Sequence, residues 1–277
     1  MNIKTLRKKT IFGVLWSGMN QVGMFSSSII TSVILARLLT PNDFGLIAMV
    51  ATLTNFARVI VNFGFGQALI QKQKIIEKDL STVFWFNLGI GVLTTIIVIF
   101  SAPYIASFYD EPQLTLIAIV LSSAFFIYSI SVVQRIIFIK NIDLKSVAKV
   151  EITATVLSGF GAIVLAYIGF GVWSLVFQNF LMAFISCVLL WWLSKWTPKM
   201  IFDWEVIREI WDFSINLFYS QSLKYWTRNA DKILIGKYLS SGNLGYYRQA
   251  YVIILDPINR IGQVIMQVLF PTFSKIQ

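Results

Sequence analysis

The sequence contains no histidine, a single cysteine at Cys187, and few charged residues. Without histidine the chain cannot use imidazole acid–base catalysis or a Cys/His zinc site, and with one cysteine it cannot form an intrachain disulfide. Charged residues make up 13% of the chain, whereas a soluble domain has about 25%. Because hydrophobic residues make up 57%, the composition predicts an all-α integral membrane protein.

Long apolar segments recur along the whole chain, each near the roughly 20 residues that a helix needs to cross a bilayer. The first begins directly after a basic N-terminus and is too long for the apolar core of a signal peptide, so it is predicted to be retained. We predict eight membrane spans, at residues 11–39, 44–70, 80–106, 114–139, 147–168, 173–193, 207–238 and 244–273.

The basic residues behind the net charge of +10 are concentrated in alternate connections between the predicted spans. Most lysines and arginines lie at the N-terminus and in every second connection, whereas the other connections hold few cations and the acidic Asp110-Glu111 turn. By the positive-inside rule, this pattern predicts a multi-pass membrane protein with a cytoplasmic N-terminus. Nucleic acid is not needed as a partner to explain the charge.

A second group of charged residues lies within the predicted spans. Lys224, Arg228 and Lys232 recur every fourth residue, a spacing that places them on one face of a helix. A charged side chain at the bilayer centre costs about 2.5–3.5 kcal/mol, so such residues usually face protein or a water-filled cavity. We therefore predict a cationic cavity for an anionic substrate. Its candidate binding residues are Arg58, Lys224, Arg228, Lys232, Arg248 and Arg260.

Counting from both ends of each span places Arg58, Lys224 and Arg260 within about one turn of the bilayer centre. Two acidic residues, Asp231 and Asp256, accompany the cations and are candidates for ion coupling, as is Glu151. The alternative is structural, since Arg228 with Asp231 and Asp256 with Arg260 have the spacing of intrahelical ion pairs. Lys232 and Arg248 could also extend toward the membrane surface.

The two stretches ILARLLTPNDFGLIA and LIGKYLSSGNLGYYR are related by an offset of 200 residues. The offset aligns Leu39 with Leu239, Thr40 with Ser240, Gly45 with Gly245, and Arg37 with Lys237. Because repeated helical units are typical of transporters, we predict a complete six-helix lobe over residues 1–200 and the first two helices of a second lobe over 201–277. On this interpretation the chain is a truncated part of a longer protein.

Several segments together resemble the polysaccharide transport family, within the superfamily that also holds multidrug extruders and the lipid II flippase. The resembling segments are ILARLLTPNDFGLIAM, FGFGQALIQKQ, DLSTVFWFNL, GFGVWSLVFQNF, RNADKILIGKYLSSGNLGYYRQAY and QVLFPTF. The resemblance implies a bundle of the type found in that superfamily, with two pseudo-symmetric lobes around a central cavity. It also implies a flippase that moves an undecaprenyl-pyrophosphate-linked oligosaccharide across the bacterial inner (cytoplasmic) membrane for O-antigen, exopolysaccharide or capsule synthesis.

The implied partners are the lipid-linked oligosaccharide, membrane lipids and the polysaccharide polymerase machinery, without a cofactor or metal. The first alternative is a cation-coupled multidrug extruder, although extruders of cationic drugs favour buried carboxylates. The second is an inactive truncated fragment. A membrane enzyme would need a carboxylate cluster or histidine on a sizeable loop, and we predict no enzyme. The cations near the bilayer centre argue against a purely structural scaffold.

Overall fold

The structure is a computed structural model that describes residues 3–72 and 74–255, with side chains for all of these except 3–15, 17, 253 and 255. The described residues form nine α-helices and a short π-helical segment. The helices are α1 (Ile3–Leu38), α2 (Pro41–Asn62), α3 (Phe65–Gln71), α4 (Glu77–Tyr109), α5 (Gln113–Lys140), α6 (Leu144–Tyr167), α7 (Val172–Ser194), α8 (Trp204–Tyr238) and α9 (Ser241–Ala250), and Tyr251–Leu255 is π-helical.

Six segments in the described part of the chain are long and apolar enough to cross a membrane. They are Gly18–Leu38, Pro41–Gln71, Glu77–Tyr109, Gln113–Lys140, Leu144–Tyr167 and Val172–Ser194. The first six predicted spans fall on these segments, and the chain is an all-α membrane protein. The seventh predicted span lies on α8, which is helical throughout but is not among the six apolar segments. Most of the eighth, 244–273, lies outside the described residues.

The turns between helices alternate between two ends of the bundle. We call the end that holds the start of α1 and the connections 74–76, 141–143 and 195–203 the basic end. The opposite end holds the connections 39–40, 110–112, 168–171 and 239–240. A cluster of buried apolar residues near the opposite end includes Leu46, Leu114 and Leu244, so it joins α2, α5 and α9.

The second predicted span, 44–70, is not one continuous helix. Gly64 adopts a left-handed conformation (φ +91°), and this residue separates α2 from the short α3. A Cβ atom at Gly64 would lie 3.0 Å from the Ser214 carbonyl oxygen, so the break also lets the chain approach the backbone of α8. The aromatic ring of Phe63 stacks on Phe218 of α8 with centroids 4.7 Å apart. The predicted span itself falls on a single apolar segment, Pro41–Gln71, and the break within it was not part of the prediction.

Helices α2 and α9 meet through two glycines that occupy equivalent positions in the two repeated stretches. A Cβ atom on Gly45 would lie 1.7 Å from the Ser241 carbonyl oxygen, and one on Gly245 would lie 1.9 Å from the Pro41 carbonyl oxygen. Pro41 and Ser241 are also equivalent under the same sequence offset, so the contact is reciprocal, as at a twofold axis. The helices also begin alike, because Thr40 and Ser240 each accept a hydrogen bond of 3.3 Å from the backbone N–H three residues later.

The connection 195–203 is attached to the first turns of α4. The Trp85 indole donates to the Lys199 carbonyl (2.8 Å), and the backbone N–H groups of Lys199 and Asp203 donate to Ser81 Oγ (3.1 Å) and Thr82 Oγ1 (3.2 Å). The Asp203 carboxylate pairs with Lys78. The start of α8 is therefore fixed to α4 at the basic end.

Candidate functional site

A cavity of about 300 Å³ lies among α1, α2, α5, α6 and α7, in the half of the bundle nearer the basic end. We call it the basic cavity. Its apolar lining includes Val61, Phe125 and Leu190. Its charged lining consists of Arg58, Arg135 and Glu151, so two guanidinium groups face one carboxylate. All three come from helices of the apolar segments, where an uncompensated charge is costly.

Arg58 lies one turn before the end of α2, and its guanidinium group packs over the ring of Tyr128 at 4.8 Å from the centroid. This cation–π contact stabilises the charge without neutralising it. The Arg58 Nε atom is buried and has no hydrogen-bond partner among the described residues. A buried donor without an acceptor costs about 1–3 kcal/mol, or more when charged, so an anionic ligand at this position would recover that energy.

Arg135 and Glu151 form an ion pair across the α5–α6 hairpin. The other Glu151 oxygen accepts a hydrogen bond of 2.6 Å from Asn20 Nδ2 of α1. The side chain of Glu151 is 18% exposed, whereas that of Arg135 is 53% exposed. Because the Arg135 side chain is half-exposed, a competing anion can reach its guanidinium group. The basic cavity can therefore bind an anion, with Glu151 occupying Arg135 when the ligand is absent.

The six cations predicted to form one cavity lie in several places. Arg58 lines the basic cavity, whereas Lys224 and Arg228 lie on an exposed face of α8. Arg248 lines a separate cavity nearer the opposite end, where its Nη1 donates to the Phe44 carbonyl (3.4 Å). Lys232 donates to Asn229 Oδ1 (2.8 Å) and lies over the Tyr251 ring. The sixth cation, Arg260, lies outside the described residues.

Of the two acidic residues predicted for ion coupling, Asp231 accepts a hydrogen bond from the Tyr247 hydroxyl, and its Oδ1 atom is buried without a partner among the described residues. No ion pair joins it to Arg228 in this part of the chain. Asp256 lies outside the described residues. Over the described range, Asp, Glu and Cys side chains form no group of three that could bind a metal ion.

Arg135 lies within the predicted span 114–139 but was not among the predicted site residues, and Glu151 was one of several candidates for ion coupling. The signal that could have found them is the apolar segment Gln113–Lys140, which contains Arg135 five residues before its end. A charge inside an apolar segment requires a partner. Glu151 lies two turns into the next helix, where an antiparallel hairpin can bring it beside Arg135.

Comparison with known proteins gives consistent relationships. The family described as "Polysaccharide biosynthesis protein" matches residues 34–277. The chain is 30% identical over 274 residues to the teichuronic acid biosynthesis protein TuaB of Bacillus subtilis, covering 98% of this chain and 56% of that protein. It is 26% identical to the succinoglycan biosynthesis transport protein ExoT of Rhizobium meliloti, covering 98% of this chain and 55% of that protein.

The chain is also 25% identical to the lipopolysaccharide biosynthesis protein WzxC of Escherichia coli, covering 99% of this chain and 56% of that protein. It thus spans about half the length of these curated relatives. No solved structure matches it. These matches confirm the resemblance to polysaccharide transport proteins, and the chain belongs to the polysaccharide biosynthesis protein family.

Proposed function

We propose that this chain is part of a flippase that moves undecaprenyl-pyrophosphate-linked oligosaccharide repeat units across the cytoplasmic membrane for surface polysaccharide synthesis. The basic cavity carries this proposal, because it offers two guanidinium groups inside a bundle of apolar helices. Two of the related proteins are named for transport of succinoglycan and for lipopolysaccharide biosynthesis, which supports a polysaccharide precursor as the substrate.

The pyrophosphate group of such a substrate suits the basic cavity. A guanidinium group can donate two parallel hydrogen bonds to a phosphate, and the unpaired Nε of Arg58 provides a donor. Entry of the anion would release Arg135 from Glu151, so the ligand gains an ion pair and the Glu151 carboxylate keeps the hydrogen bond from Asn20. Lys224 and Arg228, on the exposed face of α8, would attract the anion before it reaches Arg58.

In the proposed flippase, the helices of this chain belong to two similar lobes. Residues 1–200 would form one six-helix lobe and 201–277 the first two helices of a second, making eight spans in this chain. The reciprocal contact between Gly45 and Gly245 supports this relation, since corresponding positions of two similar lobes would meet at their shared axis. The N-terminus would be cytoplasmic, with the basic end on the cytoplasmic side and the polymerase receiving the product on the other.

A cation-coupled multidrug extruder of the same superfamily fits the basic cavity less well. A cationic drug would meet two arginines and a carboxylate that is already paired. Among the described residues, Asp231 is the better candidate to bind a coupling ion, because one of its oxygens is buried and unpaired. Such an ion site would suit a flippase as well as an extruder. The names of the relatives describe biosynthesis and transport, and we propose a transporter rather than an enzyme.

Complementation of a flippase-deficient bacterium tests this function. The full-length protein should restore surface polysaccharide, and Arg58→Ala or Lys224→Ala in that protein should reduce the polysaccharide at least about tenfold, because the first change removes a charge that binds the pyrophosphate and the second removes one that attracts it. Membrane abundance, measured by immunoblot, should stay unchanged. Arg208→Ala is the matched control, since Arg208 is an exposed cation near the start of α8.

Full polysaccharide in both variants would contradict the assignment of the cavity. Failure of the unaltered full-length protein to complement any of several flippase-deficient strains, despite normal abundance, would favour the multidrug extruder. The 277-residue chain expressed alone should not complement if activity needs both lobes.

A further inference from the structure

A second cavity, of about 200 Å³, lies between α1, α7 and α9 near the opposite end of the bundle. We call it the amide cavity. In contrast to the basic cavity, its polar lining is mostly uncharged and consists of hydroxyl and amide groups with one guanidinium group. These polar residues include Ser28, Ser32, Gln178, Asn179, Arg248 and Gln249.

Several of these groups retain unused hydrogen-bonding capacity. The Gln249 side chain accepts from Ser32 Oγ at 3.3 Å, but its Nε2 is buried without a partner among the described residues. Asn179 Nδ2 donates to the Leu175 carbonyl at 2.9 Å, which leaves its Oδ1 available as an acceptor. The Gln178 amide makes no hydrogen bond within the described part of the chain. The cavity is therefore lined by both donors and acceptors with unused hydrogen-bonding capacity.

This combination selects one class of ligand. A sugar hydroxyl both donates and accepts, and a carboxamide offers one group of each kind. A hydrocarbon chain would leave the amides unpaired in a water-poor site, which costs free energy, and a phosphate would find only one cation. The volume lies below the roughly 300–1,000 Å³ of pockets for drug-sized ligands, so it suits one sugar ring.

The amide cavity adjoins the basic cavity. Met182 of α7 lines both, with Ser186 on the basic side and Gln178 on the amide side. At about 1.5 Å per residue, Ser186 and Gln178 are about 12 Å apart along the helix. A ligand that occupies both cavities must therefore extend beyond its first sugar. The two cavities lie in sequence along α1 and α7, from the basic end toward the opposite end.

We propose that the amide cavity is a glycan subsite that binds the hydroxyl groups of a single sugar in the repeat unit. The inference rests on the proposed flippase function and adds that the two cavities bind different parts of the substrate. The basic cavity binds the pyrophosphate, whereas the amide cavity binds a sugar further along the oligosaccharide. Gln178 and Gln249 distinguish a lipid that carries a glycan from one that does not.

Binding of two probes to the full-length protein in lipid nanodiscs tests the subsite. One probe is undecaprenyl pyrophosphate without sugar. The other is the same lipid with a trisaccharide, taken from a panel built of glucose, galactose and N-acetylglucosamine. The unaltered protein should bind at least one glycan-bearing lipid more tightly than the bare lipid. The double variant Gln178→Leu with Gln249→Leu should lose about tenfold in affinity for that glycan-bearing lipid and nothing for the bare lipid.

Gln113→Leu is the matched control, because Gln113 is exposed at the start of α5, at the same end of the bundle. Arg58→Leu should weaken binding of both probes. Equal affinity of the unaltered protein for all probes, or an equal loss for both probes in the double variant, would overturn the glycan subsite while leaving the flippase proposal in place. Absence of any lipid pyrophosphate binding, or binding that ignores Arg58, would overturn the proposed function and the subsite with it.

Discussion

Gly45 and Gly245 are the glycines at which an added Cβ atom would disrupt helix packing most strongly. At each, a Cβ atom would lie very close to a backbone carbonyl oxygen of the partner helix (1.7 and 1.9 Å). A backbone atom cannot move aside as a flexible side chain can, so the two helices would have to separate. The contact therefore requires glycine for close approach rather than for an unusual φ.

We expect Gly45→Ala to destabilise the protein by about 1–3 kcal/mol, the usual cost of overpacking a tight contact. The measurement is thermal unfolding of the purified protein in detergent, followed by tryptophan fluorescence. Gly89→Ala is the matched control, because Gly89 is a helical glycine with no atom within 4 Å of its added Cβ. That change should be neutral or stabilising, since alanine favours a helix. Equal melting temperatures for the two variants would contradict the close contact.

Individual charged residues show how far the sequence alone could lead. Spacing within an apolar segment identified Arg58 as unusual, and the structure places it in a cavity. Spacing could not predict that Arg135 pairs with Glu151, because their contact depends on how α5 and α6 lie against each other. Likewise, Gln178 and Gln249 lie on different helices, far apart in sequence, and share a cavity only after folding. Local patterns predict the charged residues that need partners, whereas packing determines which partners they obtain.

At the scale of elements, the connection 195–203 fixes the start of α8 to α4 through hydrogen bonds and through the Lys78–Asp203 ion pair. The hydrogen bond from Lys78, together with the Glu205 backbone N–H, lowers the pKa of Asp203 below its ordinary value of 3.8. The ion pair therefore stabilises the fold fully above the ordinary pKa of Asp203, and the stabilisation declines as pH falls below 3.8.

We expect Asp203→Asn to lower the melting temperature at pH 7 by about 1–3 °C, because asparagine still caps α8 but cannot pair with Lys78. In a pH series, the difference from the unaltered protein should persist down to about pH 4 and shrink below it, where Asp203 becomes protonated. Asp212→Asn, at an exposed position of α8, is the matched control and should have no effect at either pH. A difference that is independent of pH would show that the carboxylate charge is not responsible.

The positions of the membrane segments were predicted well where the length of an apolar stretch determines them. The first six predicted spans correspond to helical apolar segments. The separation of α2 from α3 at Gly64 was not predicted, because the sequence FGFG permits a helix and the approach of α8 at Ser214 decides otherwise. The character of α8 was also harder to predict. It forms one 35-residue helix despite its charge, since packing against α2, α3 and α4 stabilises it.

For the whole molecule, the repeat that relates the two glycine-containing stretches is the feature that the sequence predicts most directly. It aligned Gly45 with Gly245 before any contact between them was known, and the structure brings both to one contact between α2 and α9. Because the chain spans about half the length of its curated relatives, the sequence cannot show what packs against the exposed faces of α1 and α8. The α2–α9 contact remains the best indication of how two lobes would meet.

If the full-length protein works by alternating access, the contact between α2 and α9 must open during transport, since it joins the proposed lobes at the opposite end. Ser241 Oγ donates to Asn42 Oδ1 across this contact. We expect Asn42→Cys with Ser241→Cys, in a background in which the native Cys187 is replaced by serine, to form a disulfide on oxidation. Oxidation should reduce restored surface polysaccharide at least about tenfold, and a reductant should reverse the loss, because a closed contact stops the cycle.

The matched control is Ser81→Cys with Lys199→Cys, which joins the connection 195–203 to α4 where Lys199 N–H donates to Ser81 Oγ at 3.1 Å. Ser81 and Lys199 both lie at the basic end, where we expect the connection to stay fixed to α4 throughout the transport cycle. The disulfide between them should therefore leave transport unchanged. Protection from a maleimide reagent would measure disulfide formation in each pair. Full transport with the Asn42–Ser241 disulfide formed would show that this contact stays closed, and the lobes would then have to move about another part of the molecule.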